Sequence, residues 1–278
     1  MGALDGVYAK LDRARVHARE MKQRLDAGLD PELHEFVREY DGSPSKYVYK
    51  IERLPAVDPK WSLVLGDFLT NMRAALDHLA WQLVVLDGGT PSKATQFPIL
   101  KSDIGAKGQH SPARLRPAVS RQDILDAVES VQPYAVARQF GFTDATNNGL
   151  FILNELVNVD KHRLLIEVMP VLNTRNMYWT GDPSPEVRIL HAAPLKEGEP
   201  VAWFDFGDAE ADPNFDPHLG LEIRVYGGPS IAAIRVPDLF GLISRIYGEI
   251  EFGIGTHFAP LFGLSPRHWA NILAEGPP

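Results

Sequence analysis

Between Asp58-Pro59 and Asp87-Gly88-Gly89 the chain carries one long helical pattern, and this segment constrains most of what can form around it. Asp58 supplies a capping side chain, and Pro59 suits a first helical turn because its missing N–H would be unpaired there anyway. The Asp-Gly-Gly sequence stops the helix near Leu86. On a wheel turning about 100° per residue, Trp61, Leu65, Phe68, Leu69, Met72, Leu76, Leu79 and Leu83 form a single apolar stripe. A stripe of this length has to be covered by other elements, so a helical bundle is expected.

The segments around it supply partners. Leu4 to Leu29 is free of proline and reads as a helix ending near Gly28, a C′ glycine. Its apolar positions Leu4, Val7, Leu11, Ala14, Ala18, Met21 and Leu25 must be covered by the bundle or by a second chain. A short second helix is expected from Asp30-Pro31 to about Tyr40, then a turn at Asp41–Pro44 and a strand over 46–52. Thr90 to Pro117 reads as loop, with Gln96-Phe97-Pro98-Ile99 embedded in it. Ser120 is expected to cap a helix through Ser130. Asn147 or Asn148 starts another, from Gly149 to about Val168, stopped by Pro170.

Beyond Pro170 the texture changes to short β-like runs at 188–191, 200–206, 221–226 and 231–236, with an acidic loop from Gly207 to Gly220. A final amphipathic helix spans about Pro237 to Phe252. The fold class is therefore α+β. A helical bundle over 1–170, with one strand near 46–52, is followed by a β-rich region over 171–278. That region holds a small antiparallel sheet and a returning C-terminal helix, packed on the bundle.

The net charge of -8 opposes a surface that grips nucleic-acid phosphates everywhere, though it leaves room for a local basic groove. With no cysteine, thiolate catalysis, disulfides and cysteine-ligated zinc are excluded. The first residues lack a basic stretch followed by an apolar run, so no signal peptide is expected. No apolar run approaches the roughly 20 residues that span a bilayer. A cytoplasmic location and no membrane partner follow as the expectation. Dinucleotide-binding glycine fingerprints, phosphate-binding loops, nucleophile elbows and His-Glu-x-x-His are absent, and no cofactor is expected.

The polar residues on two helices carry the candidate chemistry. On 59–86, Asp67, Asn71, His78 and Gln82 share one side, whereas Arg73 and Asp77 stand at the i, i+4 spacing of an ion pair. The 149–168 segment is apolar nearly all round and should be buried, yet Asn154, Asn158, Lys161 and His162 line one stripe with Glu155 at its edge. Buried polar groups need partners, so the two stripes are expected to face each other, placing Asn71 or His78 near Asn158 or His162. Such a cluster reads as a structural hydrogen-bond network, as a metal site from His78, His162, Asp67 and Glu155, or as acid–base machinery. No metal is assigned, because each helix offers one well-placed His and the Glu-x-x-His spacing of di-iron bundles is missing. Thr256-His257 shows no partner, and His17 and His34 lie in charged segments where exposure is the natural reading.

Arg73-Ala-Ala-Leu-Asp-His78 resembles the Arg-x4-6-His signature of the HEPN superfamily, small helical bundles that are often dimeric ribonucleases. The stretch Gly66–Trp81 and Asn158-Val-Asp-Lys-His-Arg163 also resemble segments of uncharacterised bacterial proteins. The resemblance implies a metal-independent endoribonuclease with RNA as partner. Arg73 would bind the scissile phosphate and His78 would act as acid, base or orienting group. Asn71, Asn154, Asn158, Lys161 and His162 then become substrate-binding candidates. The chain departs from the family pattern at Ala74, where a polar residue usually follows the Arg. Five helical positions turn about 140°, so Arg73 and His78 do not share a face and would converge only through the reach of Arg73, a break in the helix or the partner chain of the expected homodimer. The alternative is a non-enzymatic interaction or ligand-binding protein with a structural polar network between helices 59–86 and 149–168.

Overall fold

The computed structural model describes residues 2–43, 45–101, 118–141, 144–162, 166–175, 177–180, 184–190, 195–209, 214–226 and 238–265. It is an α+β protein. The helices are α1 (Asp5–Gly28), α2 (Lys60–Leu86), α3 (Gln122–Ser130), α4 (Pro133–Gln139), α5 (Gly149–His162) and α6 (Leu239–Gly253). The strands are β1 (Glu35–Tyr40), β2 (Lys46–Arg53), β3 (Glu167–Leu172), β4 (Glu186–Ile189), β5 (Pro200–Asp205) and β6 (Leu221–Tyr226). Among the described residues no helix is long and apolar enough to cross a membrane.

The chain divides into two compact units, and neither follows the division at residue 170 that the change of texture implies. Residues 1–22, 62–166 and 227–278 form a helical unit, and residues 23–61 with 167–226 form a sheet unit. The strand at 46–52 therefore belongs with the later strands rather than with the bundle. It is the second strand of a four-stranded antiparallel sheet ordered β1-β2-β5-β4. β3 and β6 pair separately as a two-stranded antiparallel ribbon.

In the helical unit α1 and α2 run antiparallel. A Cβ at Gly6 would come 2.8 Å from the His78 ring, and His17, further along α1, feels the Asp67 carboxylate. The α1 stripe from Leu4 to Leu25 is buried within the single chain, so it offers no apolar face to a second copy. α2 buries Trp61, Leu65, Phe68, Leu69, Met72, Leu76, Leu79 and Leu83, as its periodicity requires. α5 approaches α2 where Gly66 leaves room for Asp160; a Cβ there would lie 3.1 Å from Asp160 Oδ1. It approaches α6 at Gly149, where a Cβ would meet the Arg245 carbonyl at 3.0 Å.

In the sheet unit, β2 and β5 turn Tyr47, Tyr49, Ile51, Val201 and Phe204 into a core completed by Leu172 and Leu221 of the ribbon. Phe215 enters this core from the acidic 207–220 segment. Its ring stands 5.3 Å from Phe204 and 4.9 Å from Phe206, and its carbonyl accepts from Arg38 Nη1 and the Tyr49 hydroxyl. On the opposite face Lys46 pairs with Asp205 at 3.1 Å, and Arg188 lies over the Trp203 ring.

Several local expectations are corrected. Asp30 does cap a turn, accepting from the Glu32 N–H, but the helix is a single 3-10 turn over Pro31–Leu33 before β1 begins. The Glu35–Tyr40 segment pairs residue by residue with β2, and that ladder outweighs its weak helical character. Ser120 does not cap α3; its N–H and hydroxyl, with the Arg121 N–H, donate to the Asp87 carboxylate. α5 ends at His162 rather than near Val168, and residues 167–172 form β3 with Pro170 inside it. Among the described residues β3 pairs with β6 along one side only, and a strand tolerates proline where its N–H side is not needed for a ladder. α4 lies in a stretch with no expected element. Gly28 is the last residue of α1 with no left-handed backbone, and it leaves room for the buried Trp61 ring. The expected strand at 231–236 lies outside the described residues.

Candidate functional site

α2 and α5 meet at Gly66 and Asp160, and among the described side chains no hydrogen bond joins Asn71 or His78 to Asn154 or Asn158. Asp67 and His78 lie along α1, and the Asn71 amide donates to the Asp67 carbonyl of its own helix. Asn158 is exposed and Asn154 half-buried, while Glu155 pairs with Lys101 at 3.8 Å. The side chains of Lys161 and His162 lie outside the described residues. Among those described, no group of three or more His, Asp or Glu side chains is placed to hold a metal ion.

Arg73 and His78 face different neighbours. The Arg73 guanidinium donates to Asp77 through Nε at 3.2 Å and Nη2 at 2.7 Å, and Nη2 also donates to the Phe97 carbonyl at 2.9 Å. Asp77 in turn accepts the Phe97 N–H at 3.0 Å. The i, i+4 pair thus clamps both backbone groups of Phe97, a residue left 1% exposed. Gln132, fully buried, fastens the following residues: its amide N–H donates to the Pro98 carbonyl and its oxygen accepts from the Leu100 N–H. His78 is exposed beside Gly6.

The clamp holds Phe97 as one wall of a cavity of about 600 Å³ in the helical unit. That size lies in the range of small-molecule sites. Phe97 meets Phe258 edge-on at 5.8 Å, and Leu76 of α2 lies beside them. Val131 and Val136, at the end of α3 and on α4, form another wall, with Leu150 of α5 and Ile250 and Ile254 of the C-terminal helix opposite. Phe140 and Phe252 also line the cavity while remaining 63% and 58% exposed, which places them at its mouth.

The C-terminal wall is not an ordinary helix. After Gly253, residues Ile254–Phe258 form a π turn in which the Ala259 N–H reaches back to the Ile254 carbonyl. Pro260 has no N–H to continue the α pattern, and the wider turn carries Thr256, His257 and Phe258 along the cavity. Single π turns of this kind recur at functional sites.

Few polar groups converge here. Asn148 is buried and caps α5 through Oδ1, which accepts from Leu150 and Phe151. Glu249 is exposed, and its carboxylate turns onto the α5 N-terminus and accepts the Gly149 N–H at 2.6 Å. Desolvation pushes the Glu249 pKa above the ordinary carboxylate value, opposed by the Gly149 N–H and Arg245. Burial holds the His257 imidazole below its ordinary value, favouring the neutral ring.

Sequence reasoning found Asn148 as a helix start but missed Glu249 and His257 as cavity residues. The available signal was Gly253-Ile-Gly-Thr-His-Phe-Ala-Pro260, where two glycines and a proline interrupt an otherwise helical run. His17 was expected at the surface and is buried, because the same face of α1 that carries Ala14 and Ala18 turns it inward. No family model, curated protein or solved structure matches this chain.

Proposed function

We propose that this protein binds a small, largely apolar molecule in the cavity between α3, α4, α6 and the π turn, and that it is not a ribonuclease. The observation that carries the reading is the cavity itself: about 600 Å³, walled by aliphatic and aromatic side chains, with a few polar groups converging on it. The π turn on one wall and the exposed aromatics at the mouth support the same reading.

The nuclease alternative rests on Arg73 and His78. Within one chain the Arg73 guanidinium is committed to Asp77 and Phe97, while His78 lies beside α1. Assembling a cleft from them requires dismantling that clamp or recruiting a second chain, and the α1 stripe gives no reason for one.

Nile red, a neutral dye that fluoresces in apolar surroundings, tests the proposal directly. The protein should bind it with one saturable site. Val136→Trp, which fills the cavity from α4, should abolish that binding while thermal unfolding remains cooperative. Dye binding unaffected by Val136→Trp would refute the site. Cleavage of labelled RNA in the presence of chelator, lost in His78→Ala, would restore the nuclease reading.

A further inference from the structure

We infer that the molecule held in this cavity carries a protonated amine, received by Glu249, and that carboxylate-bearing molecules of the same shape are rejected. The inference rests on the ligand-binding reading and adds the charge of the ligand to it. Among the described residues that line the cavity, Glu249 is the one carboxylate, and no Lys or Arg lines it. His257 is held toward its neutral form by burial, so it does not offset that charge.

Two of the other polar groups are committed to the fold. Asn148 Oδ1 takes two N–H groups of α5, and the Ser130 hydroxyl donates to the Ala127 carbonyl. Glu249 differs. One carboxylate oxygen accepts from Gly149, and the other has no hydrogen-bond partner among the described residues. Arg245, one turn earlier on α6, directs Nη1 to the Asn147 carbonyl and acts on Glu249 only at longer range. A ligand ammonium at the cavity would pair with this free carboxylate oxygen through a charge-assisted hydrogen bond, with no lining cation to compete for it. A ligand carboxylate would instead meet a like charge with no lining cation to compensate.

Three probes that share one ring system separate charge from shape: 1-naphthylmethylamine, 1-naphthalenemethanol and 1-naphthoic acid, each competing with bound Nile red. The amine should displace the dye at least tenfold more effectively than the alcohol, and the acid least of all. Glu249→Gln retains an oxygen to accept the Gly149 N–H, so the fold is kept. In that variant the amine should fall to the level of the alcohol while the alcohol is unchanged. Equal potency of amine and alcohol, preference for the acid, or an amine preference that survives Glu249→Gln would each overturn the inference while leaving the cavity a binding site. Failure of Nile red itself to bind would instead remove the underlying reading.

Discussion

Removing Asp77 separates a structural from a catalytic role for Arg73. In Asp77→Ala three hydrogen bonds to one carboxylate disappear, from Arg73 Nε, Arg73 Nη2 and the Phe97 N–H. A hydrogen bond to a charged group contributes about 1.5–3 kcal/mol net, and a buried donor left unpaired costs about 1–3 kcal/mol. Full addition of these values would overstate the effect. The Asp77 side chain is 30% exposed, so water can partly replace it, whereas Arg73 at 12% is less well served. The expected loss is about 2–4 kcal/mol, since Arg73 retains only the Phe97 carbonyl. Urea unfolding followed by tryptophan fluorescence measures it, and Trp61 and Trp81 on α2 report on the region.

The double variant sharpens the test. Arg73→Leu with Asp77→Ala removes both charges, so it should cost at least about 1 kcal/mol less than the sum of the singles. Loosening Phe97 should also weaken Nile red binding in each single variant, because Phe97 walls the cavity. A loss below about 0.5 kcal/mol for Asp77→Ala, or additivity within that margin, would refute the clamp. The nuclease reading forecasts the opposite pattern for Arg73→Leu: cleavage lost and stability untouched.

Two further outcomes follow from the packing. Gly28→Ala should destabilise the protein by about 1–3 kcal/mol, because its Cβ would overlap the Trp61 ring, which is 4% exposed and cannot swing aside. Gly6→Ala should be neutral or stabilising by up to about 1 kcal/mol, since the exposed His78 ring can rotate away and alanine favours helix; thermal unfolding of the pair would contradict this if the order were reversed. Stability should also fall on acidification below the ordinary imidazole value of 6.5, because burial lowers the pKa of His17, and the unfolded chain therefore takes up the proton first. That contribution is complete above pH 6.5 and is lost as pH falls toward the folded value, while Glu249, with a raised pKa, acts in the opposite sense. Urea midpoints at pH 7.5 and 5.5 should show the decline, and His17→Gln should reduce it; an unchanged slope in that variant would exclude His17 as the cause.

The parts of this fold that were legible in the sequence are those whose signal is local and long. α2 announces itself through many turns of one apolar period, and the α5 start through Asn148 beside an apolar run. The change from α5 to β3 was hidden because Leu164-Leu165-Ile166 is apolar at every position and fits a helical period as well as an extended one. Tertiary pairing then decided: Glu167–Leu172 pairs residue by residue with Leu221–Tyr226, and that ladder fixes the extended form. β1 was missed for a related reason, since Glu35–Tyr40 gains its extended form from pairing with β2.

The candidate site was less legible because no part of it is local. Its walls come from α2, the segment around Phe97, α3, α4, α5 and α6, and no short motif spans them. Arg73 illustrates the difficulty most clearly. Its spacing to His78 defines a motif, and its spacing to Asp77 defines an ion pair, and both are readable on one helix. Phe97, twenty-four positions away, adds what neither spacing shows: its carbonyl and N–H close the Arg73–Asp77 pair into a clamp. A guanidinium satisfied on both sides by the fold has little left for a phosphate, so the neighbour that claims the side chain carries more weight than the motif that contains it.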